Sequence, residues 1–151
     1  MLELSRPGND SAVIHPQVCP RPVGFFLGLE CTFHPFVTRT AYREITYLPL
    51  AERVQRMRDP EVRRRILEQK REHRSNLMQQ VTQGFEKMFR LGDPPNYEPA
   101  AEDSILAIAR REGRKPQEVA YDILLERDGH ELIFLPFTNY TERNHEIILE
   151  M

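Results

Sequence analysis

The stretch His130–Met151, HELIFLPFTNYTERNHEIILEM, decides how the rest of the chain is read. Leu132-Ile133-Phe134-Leu135 is a continuous apolar run of strand length, so it predicts a strand buried on both faces. The chain then turns polar at Thr138-Asn139-Tyr140. Thr141 is placed to cap a final helix that carries Ile147, Ile148 and Met151 on one side. A strand of this kind needs cover on both faces and neighbours on both edges, because an unpaired buried backbone group costs about 1–3 kcal/mol.

Working outward, the first candidate neighbours lie far upstream. AVIHPQVCPRPVGFFLGLECTFHPF (residues 12–36) places Pro16, Pro20, Pro22 and Pro35 among apolar stretches. Proline excludes helix there, so Ala12–Val18 and Phe25–Leu29 are expected as short extended segments. They are almost continuously apolar, as in a parallel sheet.

Between these strands the character changes. Leu50 to about Phe89 is expected to be helical, with Val54, Met57, Val62, Ile66 and Leu67 as a thin apolar stripe. Asp59 is the expected cap and Pro60 the first-turn proline of one of these helices. LGDPPNYEPAAED (residues 91–103) is a turn-rich linker. Two compact helices are expected next. One runs over Glu102–Arg111 and stops at Gly113. The other runs from Pro116 to about Arg127 with Val119, Ala120, Ile123 and Leu124 on one face and Gly129 as its stop.

Composition narrows the function classes. The apolar fraction is 40%, the charged fraction 29% and the net charge -2, which argues against a nucleic-acid binder held by bulk charge. The arginine-rich run Arg53–Arg74 is interleaved with Glu52, Asp59, Glu61, Glu68 and Glu72. Pairs such as Glu61–Arg65 describe a solvated, salt-bridged helix face. No apolar run approaches the roughly 18 residues of a membrane span, and Met1–Asp10 lacks the basic-then-apolar order of a secretory signal. With Cys19 and Cys31 as the chain's cysteines, a reduced cytoplasmic setting is expected.

Three constellations carry chemistry. His15, Cys19, Cys31 and His34, spaced H-x3-C-x11-C-x2-H, are the ligand types of tetrahedral zinc, although small buried cysteines on neighbouring strands explain the same residues. Cys19 is also a candidate reactive thiol, since Arg21 favours its thiolate. Arg21, Asn139 and Tyr140 stand at the ends of expected strands, where α/β folds line their ligand sites. An arginine there suits a carboxylate, while the plainer alternative is a loop, capping or packing role for all three.

QVCPRPVGFFLGLE (17–30), HPF (34–36), YREITYLPLAERVQRMRDPEVRRRIL (42–67), LGDPPNYEPAAEDSILAIARREGRKPQEVAYDILLERDG (91–129) and LPFTNYTERNHEIILEM (135–151) together resemble the N-acyl-D-amino-acid deacylase branch of the amidohydrolase superfamily. The resemblance runs from about Val13 to Met151. It implies a metal-dependent (β/α)8 barrel, of which this chain is an internal α/β segment. Residues 12–36 would be a barrel strand region, 40–92 a mainly helical insertion on the outside of the barrel, and 100–151 two helices, a barrel strand and the following helix. It implies zinc in the full-length enzyme and a small N-acyl amino acid as substrate. The family's H-x-H and its aspartate in an S/G-D-G segment have no counterpart here, so no metal ligand carries over and the isolated chain is expected to be inactive and to hold no zinc. Arg21, Asn139 and Tyr140 fall in matching strings and carry over as substrate-lining positions. The Leu132–Leu135 strand would then pair with barrel strands supplied from outside this chain. Two other classes stay open: a small zinc-binding module, and a helical protein-interaction module.

Overall fold

The computed structural model describes residues 22–69, 76–139 and 146. The strands are β1 (Val23–Leu27), β2 (Phe89–Arg90) and β3 (Ile133–Thr138). The helices α1 (Thr40–Arg43), α2 (Leu50–Arg58), α3 (Pro60–Glu68) and α4 (Asn76–Gln83) lie between β1 and β2. The helices α5 (Ile105–Glu112) and α6 (Pro116–Leu125) lie between β2 and β3. The expected strand at Ala12–Val18 and the expected final helix lie outside the described residues, Glu146 excepted, which is helical.

The decisive stretch is indeed a buried strand. Ile133, Phe134, Leu135 and Pro136 are all buried. The sheet order is β1-β3-β2, so β3 is central: β1 pairs along its length on one edge, and β2 pairs with Ile133 and Phe134 on the other. That corrects the expectation that its neighbours would come from elsewhere. Both pairings are antiparallel, with Phe25 opposite Leu135, Phe26 opposite Phe134, and Phe89 also opposite Phe134. The parallel, barrel-like arrangement does not occur among the described residues. The reason is physical: continuous apolarity reports cover on both faces, and an antiparallel central strand with two covered faces produces the same pattern.

Each face has its own cover. Leu27, Ile133 and Leu135 join the main core with Phe36, Tyr42, Met57, Ile66, Tyr121 and Leu124. On the other face Phe26, Phe134 and Phe89 form a row across the three strands. Tyr97, from the linker, packs edge-on against Phe26 and Phe134, with ring centroids 6.3 and 6.0 Å away. Gly24 makes this close packing possible. A Cβ there would lie 2.4 Å from the Leu135 carbonyl oxygen and 2.7 Å from the Phe134 ring.

The helices follow their local chemistry. The Asp59 carboxylate accepts from the Glu61 and Val62 amides, and Pro60 occupies the first turn of α3. The expected apolar stripe is in place: Val54, Met57 and Ile66 are buried, and Val62 and Leu67 pack partly buried beside them. α5 starts later than expected, because Ser104 caps it and Ala101–Asp103 forms a separate 3-10 turn. Gly113, in the left-handed region at φ 64°, closes α5. α6 buries Tyr121 in addition to the four expected residues, and its Tyr121 hydroxyl donates to the Met57 carbonyl at 2.8 Å. Within the expected helical run, α4 ends at Gln83 and β2 follows as a strand.

Candidate functional site

Of the carried-over positions, Asn139 is the described one, and it lies at one end of the sheet. Val23 is paired with Thr138. Asn139 follows directly, partly buried and left-handed at φ 60°, a conformation asparagine tolerates better than most residues. Arg21 precedes β1 by two positions and Tyr140 follows Asn139; both lie outside the described residues. What the ladder does bring together is the two chain segments that carry these positions.

The zinc-like pattern is only half described. His15 and Cys19 lie outside the described residues. His34 is 1% exposed, its Nδ1 accepts the Phe36 amide at 3.2 Å, and its ring stands edge-on to Tyr42 with centroids 4.4 Å apart. Burial, reinforced by the nearby Arg53 charge, pushes its pKa down to about 3, so it is a neutral, packed imidazole. Cys31 is a free, partly exposed thiol whose pKa is raised by burial and by Glu30. Among the described residues no group of three His, Cys, Asp or Glu side chains comes together to hold a metal ion. Cys31 and His34, the described half of the pattern, do not by themselves assemble a metal site.

The most elaborate polar arrangement is one that no sequence signal marked. Arg53 on α2 donates to the carbonyls of Leu29 at 2.8 Å, Leu48 at 3.0 Å and Thr46 at 3.1 Å, and to the Tyr42 hydroxyl at 3.3 Å. Burial raises the Tyr42 pKa against the opposing pull of Arg53, so the phenol stays protonated. This guanidinium gathers three loop carbonyls and clamps the segment between β1 and α2; it presents no donor fork to a ligand. In sequence, Arg53 is one arginine among many in the run.

A second cluster joins α3 to α6. Arg63 and Arg114 both bond the Asp122 carboxylate, and the Arg63 guanidinium also lies 4.8 Å over the Tyr121 ring. Burial works against the charge on Asp122, but the two arginine hydrogen bonds outweigh it and hold its pKa below the ordinary value. Along α3 the expected pairing differs: Arg64 bridges Glu61 and Glu68, while Arg65 reaches Glu44 at 2.9 Å. The open groove of about 280 Å³ between these helices is lined by Arg63, Arg64, Glu68, Lys115 and Glu118, charges of both signs that favour no one ligand.

No helix among the described residues is long and apolar enough to cross a membrane. No protein-family model, no curated protein and no solved structure matches the chain.

Proposed function

We propose that this chain is a segment of a metal-dependent amidohydrolase that hydrolyses non-peptide C–N bonds, of the N-acyl-D-amino-acid deacylase kind and working in the cytoplasm. The observation that carries this is the order and length of the resembling strings, from PRPVGFFLGLE (20–30) through to LPFTNYTERNHEIILEM (135–151). In the full-length enzyme zinc would polarise the amide carbonyl. The resemblance carries no metal ligand over to this chain, so the part assigned to it is substrate binding. Arg21 holds the substrate carboxylate through two parallel hydrogen bonds, and Asn139 and Tyr140 line the same strand end. The Val23–Thr138 pairing supports this division of labour, since it sets the two segments side by side.

The test compares two polypeptides on N-acyl-D- and N-acyl-L-amino acids with added zinc. One is this chain; the other is the product of its reading frame extended in both directions. The expected result is no hydrolysis by the chain alone, and zinc-dependent hydrolysis by an extended product that carries an H-x-H upstream and an Asp-Gly segment downstream. Flanks with neither motif, or an extended product inert on every N-acyl amino acid, would overturn the assignment.

A second proposal, a non-catalytic helical interaction module, is favoured by one specific observation: β3 finds a β-neighbour on each edge within this chain, β1 along its length and β2 at Ile133 and Phe134. Steeply salt-dependent binding of the chain alone to an acidic protein supports that proposal, and its absence removes it.

A further inference from the structure

We draw no further inference here: the strongest candidate, the apolar surface patch that Val23, Phe26, Tyr97 and Phe137 leave exposed around the β1–β3 ladder, carries nothing, because nothing among the described residues shows what covers it.

Discussion

Arg53 Nη1 donates to the Leu29 carbonyl oxygen at 2.8 Å, tying α2 to the loop that leaves β1. The same guanidinium also holds the Thr46 and Leu48 carbonyls and the Tyr42 hydroxyl. Lysine offers one ammonium and cannot reproduce a planar fork that serves four acceptors. Arg53→Lys and Arg53→Met are therefore both expected to destabilise the protein, by about 2–4 kcal/mol. Urea denaturation followed by circular dichroism measures this. A Lys variant as stable as the parent would show that the clamp contributes nothing.

His34 links stability to acid. Its folded pKa is about 3, against ~6.5 in an unfolded chain. As pH falls, the unfolded chain takes up this proton first. The stabilisation from neutral His34 is therefore full above about pH 6.5 and is lost progressively toward pH 3. His34→Gln, which retains an acceptor for the Phe36 amide, is expected to flatten that slope by on the order of a few kcal/mol between pH 7 and pH 4. Denaturation midpoints of both proteins across this range decide it; parallel pH dependences would refute the assignment.

Gly24 admits no side chain. A Cβ would lie 2.4 Å from a backbone oxygen of the neighbouring strand, which cannot move without breaking the ladder. Gly24→Ala is expected to cost about 1–3 kcal/mol. Tyr47→Ala, at a side chain 81% exposed, is expected to stay within about 0.5 kcal/mol. Thermal melts of the two variants side by side test the contrast, and equal effects would contradict it.

Cys31 and His34 are expected to bind no zinc. Purified chain dialysed against zinc and then buffer should carry no stoichiometric metal, and Cys31→Ser should leave its metal content unchanged. One zinc per chain, lost on that substitution, would instead establish the zinc-module alternative.

Within the extended enzyme, Arg21→Lys is expected to lower kcat/KM for an N-acyl-D-amino acid by about 10- to 100-fold, chiefly through KM. Replacing the substrate carboxylate by a carboxamide should abolish the difference between parent and variant. If the variant's defect is the same on the carboxamide, Arg21 does not bind that carboxylate. Asn139→Ala in the same background reports on the other side of the strand end.

Local chemistry was readable from sequence wherever one or two residues dictate it. Asp59-Pro60 announces the start of α3, Gly113 announces the end of α5, and the apolar run at Ile133–Leu135 announces a strand covered on both faces. Direction of pairing was not readable, because burial leaves the same pattern in parallel and antiparallel neighbours. β2 was hidden for another reason. Two residues, Phe89 and Arg90, are too few to show any period, and they become a strand only by pairing with β3. Arg53 was hidden among similar arginines, since only the fold decides which one meets three carbonyls. At the candidate site the sequence named positions at the strand ends; of these Asn139 lies among the described residues, directly after β3.

The order of the strands has a consequence for biosynthesis. Both outer strands are made before the one that lies between them. As the nascent chain leaves the ribosome, Phe25, Phe26 and Phe89 emerge before their partners in β3, and α1 to α6 are all translated before that strand. The sheet can zip up only when Ile133–Thr138 arrives. Until then those aromatic side chains are open to chaperones and to wrong neighbours, so the vulnerable period in this protein's life falls late in its synthesis.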